Sequence, residues 1–213
     1  MRIIMAKIFN SLQELVSPFV LFVGKIHWKT KKVLSAEDQN KIHQLLVKNY
    51  LIILTRRNNH LSTFFINFAD FLITHKWGFW SHAVMNLEDE VTTDDDFRLM
   101  EATGTGVHYS PFDKVFDVQN AVLLKPKKMT IKEWTDLLDR SKEQLGKPYD
   151  TLFNIADAKA LSCVELVRYI LQGEPNYLVD FANFEAMIKK YKELSPQMIF
   201  DCGDFDVVYF AKS

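Results

Sequence analysis

The chain has 213 residues, 48% of them hydrophobic and 25% charged, a composition that suits one globular core with room for a small extension. Lysine plus arginine (26) nearly balance aspartate plus glutamate (27), for a net charge of −1, so no basic surface is on offer to nucleic acid. Two cysteines, Cys163 and Cys202, exclude a disulfide framework and a thiolate zinc cluster; they predict two reduced thiols, with a Cys163–Cys202 bridge as the alternative.

Met1-Arg2 opens an apolar stretch that Lys7, Gln13 and Glu14 interrupt. Its longest apolar run, Val16 to Val23, contains Pro18 and falls well short of the ~20 residues that span a bilayer. No small-residue cleavage site follows it. The reading is a soluble protein, cytoplasmic or delivered in a phage or virion particle, with residues 3–26 helical, broken near Ser17-Pro18, and docked on the body. Docking of residues 1–47 on a membrane surface or a protein partner is the alternative. Ser35 caps a helix from Ala36 to about Val47, with Ile42, Leu45 and Leu46 on one face. Residues 1–47 thus form an N-terminal helical extension, and 48–213 the main domain.

Residues 50–55, bounded by Arg56-Arg57-Asn58-Asn59, predict a buried strand. Phe64, Phe65, Phe68, Phe71 and Leu72 follow helical spacing after a Ser62 cap. Phe79 to Met85 is strand-like, and Asp94-Asp95-Asp96 turns the chain into Phe97–Glu101 as its antiparallel partner. Strands near Gly106–Tyr109 and Ala121–Leu124 extend the sheet. Thr130-Ile-Lys-Glu133 is a capping box, stopped by Gly146 and Pro148; Ser162-Cys-Val-Glu165 is a second, stopped by Gly173. A helix from about Phe181 to Leu194 precedes two closing strands, Met198–Cys202 and Phe205–Phe210. The class is α+β.

The second capping box places Cys163 at the first helical position, where unpaired N–H groups and the positive dipole end favour a thiolate and can hold an oxyanion. Taken alone, a buried packing cysteine is the commoner role. Cys202 lacks a helix start and reads as packing. Of six histidines, His82 opens an apolar strand, which holds a general base rigidly. The hairpin sets Glu101 beside it, where a carboxylate can orient the imidazole; a structural ion pair is the competing reading. His108 is the alternative third member. The three aspartates lack ligand spacing and read as a solvated turn, so neither metal nor cofactor is called for. Ser110 lacks the glycine-flanked turn of a serine nucleophile.

The run Leu145-Gly-Lys-Pro-Tyr149-Asp150, then Leu161-Ser-Cys163-Val-Glu-Leu-Val167, resembles NlpC-type cell-wall peptidases. The histidine precedes the cysteine here. That order, with Trp80-Ser-His82-Ala-Val84, Glu101-Ala102 and Gly106-Val107, is similar to the circularly permuted branch of YiiX- and YebB-like proteins, with lecithin:retinol acyltransferase as a distant relative. The resemblance implies a papain-like core, a nucleophile helix packed on an antiparallel sheet. It implies Cys163 as nucleophile, His82 as base and Glu101 as orienting residue, with Tyr149 contacting substrate or the oxyanion. Val164 and Ser162 depart from the residues usual beside the cysteine, and no Gly-Asp precedes residue 50.

The expected function is hydrolysis of an amide, in a peptidoglycan stem peptide or of γ-glutamyl type, through a thioester acyl-enzyme. The alternatives are a lipid acyltransferase or esterase, and a non-catalytic assembly protein that retains the site.

Overall fold

In the computed structural model, residues 33–47, 49–57, 61–87, 99–129, 131–150, 159–172, 181–191 and 194–213 are described. In chain order they form α1 (Ala36–Leu46), β1 (Leu51–Arg56), α2 (Leu61–Thr74), β2 (His82–Asn86), β3 (Leu99–Thr103), β4 (Gly106–Ser110), the single turn α3 (Phe112–Val115) and β5 (Asn120–Pro126). Then follow α4 (Ile131–Lys142), α5 (Cys163–Gln172), α6 (Ala182–Tyr191), α7 (Pro196–Asp201) and β6 (Phe205–Lys212).

The strands form one antiparallel sheet in the order β4-β3-β2-β1-β5-β6. Strand β1 is central and its first five residues are buried. That is why it reads as an unbroken apolar run rather than an alternating one. Each sheet face carries its own apolar layer. One sets Ile52, Leu54, Met85 and Met100 against Val164, Val167 and Leu171 of α5 and Phe184 and Ile188 of α6. The other sets Ile53, Val84, Leu99 and Leu123 against Leu34, Ile42 and Leu46, with Val115 and Phe116. Helix α1 starts as expected: Ser35 Oγ accepts from the Asp38 amide at 3.0 Å, and Glu37 and Asp38 lie in the first turn, where a negative charge complements the helix dipole.

Three boundaries differ from the sequence reading. Met198–Cys202 is not a strand. Pro196 opens a helix there, Ser195 Oγ accepts from the Met198 amide at 3.3 Å, and Cys202 is its C-cap. A short apolar run suits either structure, and the Ser-Pro start decides it. Strand β2 begins at His82 because the amides of Phe79 and Trp80 donate to Gln197 Oε1, at 2.8 and 3.4 Å, instead of to a neighbouring strand. Helix α2 begins at Leu61, so Ser62 lies in its first turn rather than capping it. The expected helix over 3–26, the Asp94–Asp96 turn, the Thr130 cap and the Gly173 stop lie outside the described residues.

A backbone seam ties the approach to α5 onto the outer strand. The Val107 amide donates to the Lys147 carbonyl at 2.8 Å, the Gly146 amide to the Val107 carbonyl at 2.9 Å, and the Leu161 amide to the Pro148 carbonyl at 3.0 Å. Gly106 permits this approach. Its φ is +97°, and a Cβ there would meet the Lys147 carbonyl oxygen at 2.5 Å. Gly106→Ala should therefore lower stability by about 2–4 kcal/mol, from left-handed strain plus displacement of the seam, read as a lower urea midpoint at unchanged m-value.

Candidate active site

Strand register brings four polar side chains together. Glu101 pairs with Val84 on β2 and with His108 on β4. His82 and Ser110 lie two residues from those partners, so alternation sets His82, Glu101, His108 and Ser110 on one face. His82 Nε2 lies 2.7 Å from Glu101 Oε2. The other carboxylate oxygen, Oε1, accepts from Ser110 Oγ and lies 3.6 Å from His108 Nε2. His108 Nδ1 lies 2.9 Å from the Gly106 carbonyl, an acceptor that requires the proton on Nδ1. The structure thus places His108 beside Glu101, not on His82.

Cys163 comes to His82 from the other direction. It is the first residue of α5, and the capping box is formed: the Ser162 amide donates to Glu165 Oε2 at 2.8 Å, and the Glu165 amide to Ser162 Oγ at 3.4 Å. The Ser162 carbonyl accepts the first helical bond, from the Leu166 amide at 2.9 Å. Cys163 lies beside His82, near enough for its sulfur to favour a proton on the ring; Glu101 occupies Nε2, and Nδ1 is the ring's other nitrogen. The order along the site is Cys163, His82, Glu101, Ser110.

Electrostatics follow from that line. Burial opposes a charge on His82, but the Cys163 sulfur and the Glu101 carboxylate outweigh it and push the imidazole up to about 10. Burial likewise opposes a charge on Glu101, yet the hydrogen bond and charge of His82, with Ser110 and His108, hold the carboxyl down at about 2. Tyr149 lies in the same field. Burial, then the charges of Cys163, Glu165 and Asp150, push its phenol well above the usual value, so the hydroxyl stays protonated. Cys202 differs in kind: burial pushes its thiol up to about 11, and its Sγ lies 3.2 Å from the Ile199 carbonyl. Both cysteines are free.

Sequence reasoning named Cys163, His82, Glu101, Tyr149 and His108, and all five meet here. It missed the second anchor of the carboxylate, having weighed Ser110 only as a nucleophile. The usable signal was spacing, since Ser110 is two residues from His108 and so shares its face. A cavity of about 500 Å³ lies elsewhere, lined by Asp70, Lys76, Lys190, Tyr191, Gln197 and Asp201 among others, and includes none of these five residues.

Comparison with known proteins speaks to family and fold. The pattern of the permuted papain-like amidase enzymes, the YaeF/YiiX or C92 family, matches residues 51–209. A solved structure described as metalloprotein YiiX from Escherichia coli O157:H7 superposes with a TM-score of 0.54 at 22% identity, covering 78% of this chain and 97% of that one. No curated protein sequence matches. The metal belongs to the description of that relative. Among the described residues here, no group of three or more His, Cys, Asp and Glu side chains is arranged to hold an ion.

The folded value of Glu101, about 2, lies below its ordinary 4.5. Its contribution to stability is complete above pH 4.5 and is lost as the pH falls through 2. The stability gap between wild type and Glu101→Gln should therefore shrink by about 2 kcal/mol between pH 6 and pH 3, measured by urea denaturation at both.

Proposed function

Because this chain belongs to the permuted papain-like amidase family, we propose that Cys163 is its nucleophile, His82 its general base and acid, and Glu101 the group that orients His82. The observation that carries this reading is the position of the His82 ring, held by Glu101 at Nε2 and lying within the influence of the Cys163 sulfur. An imidazole held by a buried carboxylate takes one tautomer and is stabilised when charged, which a base facing a thiol requires.

The proposed reaction is hydrolysis of an amide. His82 holds the proton of the Cys163 thiol as imidazolium, and the sulfur attacks the carbonyl carbon, forming the C–S bond. The oxyanion lies against the Cys163 amide, which as the first helical residue has no partner within the helix. Tyr149, a protonated phenol beside Cys163, supplies the second donor. Collapse breaks the C–N bond as His82 gives its proton to the leaving amine. Water then attacks the thioester, His82 takes a proton from it, and the C–S bond breaks to release the acid.

The substrate class we infer is a small peptide-like amide, a peptidoglycan stem peptide or a γ-glutamyl-type linkage. What supports it is the family's amidase chemistry and the Gly146-Lys-Pro-Tyr149 segment, similar to that of cell-wall peptidases, pinned beside Cys163 by the seam. An assay on muropeptides against lipid esters tests the class. Turnover of muropeptides is expected, and turnover of the esters alone would overturn it.

Cys163→Ala should abolish both hydrolysis and labelling by iodoacetamide at neutral pH, while Cys202→Ala leaves both unchanged. Glu101→Gln should lower kcat/KM by roughly 10²-fold or more without removing the nucleophile. Labelling that persists in Cys163→Ala and vanishes in Cys202→Ala would reverse the assignment.

A further inference from the structure

Helix α2 is inverted relative to an ordinary surface helix, which turns its apolar face inward. Thr63, Asn67 and Asp70, at i, i+4 and i+7, are buried, at 6%, 1% and 3% exposure. Two of them make polar contacts to the body: Thr63 Oγ1 lies 3.3 Å from Ser81 Oγ, and Ser195 Oγ donates to Asp70 Oδ1 at 2.8 Å. One position further along the helix, the same spacing carries Phe64, Phe68 and Phe71. With Leu72 they stand 50%, 39%, 41% and 50% exposed.

The chain then folds an indole onto that stripe. His75, at φ 59°, ends the helix in the left-handed conformation, with its amide on the Phe71 carbonyl at 2.9 Å. Trp77, 51% exposed, returns to Phe64, Phe68 and Phe71 at ring-centroid distances of 5.6, 6.2 and 6.1 Å. The result is a continuous aromatic plate, larger in kind than the scattered single apolar residues that any surface carries.

Charge identifies what the plate meets. The 14 residues of α2 contain one ionisable group, Asp70, and it is buried. A cation stands at the margin, since exposed Lys76 directly precedes Trp77; the cavity that Lys76 lines also holds Lys190 and Asp201, charges of both signs. A protein-binding patch would carry hydrogen-bonding groups among its apolar ones, and the stripe of Phe64, Phe68, Phe71 and Leu72 carries none. Rings and a leucine with tryptophan and lysine at the border are the composition of an interfacial helix on anionic lipid. At 1.5 Å per residue α2 is about 21 Å long, too short for a hydrocarbon core of about 30 Å, so it lies in the interface rather than crossing it.

We propose that the outer face of α2, together with Trp77, seats this protein on the surface of a membrane that carries anionic lipid. The proposal is independent of the catalytic assignment, since none of these residues belongs to the site.

The test is co-sedimentation of the full chain with sucrose-loaded vesicles of phosphatidylcholine and phosphatidylglycerol in a 7:3 ratio, against phosphatidylcholine alone. Wild type should pellet with the mixed vesicles. The double variant Phe68→Ser/Phe71→Ser should lose at least about tenfold in partition coefficient, and Lys76→Ala about fivefold at low salt, an effect that ~0.5 M NaCl erases. An unchanged rate of Cys163 alkylation confirms that each variant is folded, and Trp77→Ser provides a second, milder probe. Wild type that fails to pellet overturns the proposal. So does a Phe68→Ser/Phe71→Ser variant that pellets like wild type, which would assign binding to another segment such as residues 1–32. A change in oligomeric state on mutation, without vesicle binding, would assign the face to a second copy of the chain and overturn it equally.

Discussion

A carboxylate placed among apolar strands has few tolerable states. Left alone, Glu101 would be protonated, because burial disfavours its charge. It is instead surrounded on both oxygens, by His82 at Oε2 and by Ser110 and His108 at Oε1, and that ring of partners keeps it ionised. Everything else at the site follows from this one charge. It fixes the tautomer of His82 and raises the affinity of that ring for a proton. The sheet makes the arrangement rigid, since three adjacent strands each contribute and none of the four side chains lies in a connecting loop.

The proposed nucleophile is delivered by different means. Cys163 belongs to no strand, and its place depends on two local devices. The capping box fixes where α5 begins, so that Cys163 is its first residue. The seam through Val107, Lys147, Pro148 and Leu161 fixes where that beginning lies against the sheet. Gly106 and Gly146 flank the seam at positive φ, conformations that side chains with a Cβ rarely adopt. The proposed catalytic geometry, with tolerances of a fraction of an ångström, thus depends partly on two residues without side chains.

The legible part of this molecule was the part written in short range. Ser162 and Glu165 announce a helix start whatever surrounds them, and the apolar run before residue 56 announces a buried strand. The hairpin that sets Glu101 beside His82 could be read from alternation, and family motifs then joined His82 to Cys163 across 81 positions of chain. Three things were not legible, each for a physical reason. The run Met198-Ile199-Phe200 is short enough to suit either helix or strand, and only its Ser195-Pro196 start tips it toward helix. Ser110 looks like any strand serine until register places it beneath a carboxylate. The phenylalanines of α2 have the spacing of a core stripe, but spacing does not say which side of a helix faces in; the partners of Thr63 and Asp70, Ser81 and Ser195, sit far away in sequence and settle the orientation.

The two thiols make a final contrast, in terms of oxidation. Peroxide reacts with thiolate, and the sulfenic acid so formed is rescued when a second thiolate condenses with it into a disulfide. Cys163 sits at a helix start beside an imidazolium-forming histidine. Cys202 is held protonated by burial, with its Sγ against the Ile199 carbonyl, which makes it a poor resolving partner. Oxidation at Cys163 would therefore strike the residue proposed to carry the reaction, and the chain's other cysteine offers little help in reversing it. Recovery would have to come from an outside thiol small enough to reach a residue that is itself 4% exposed.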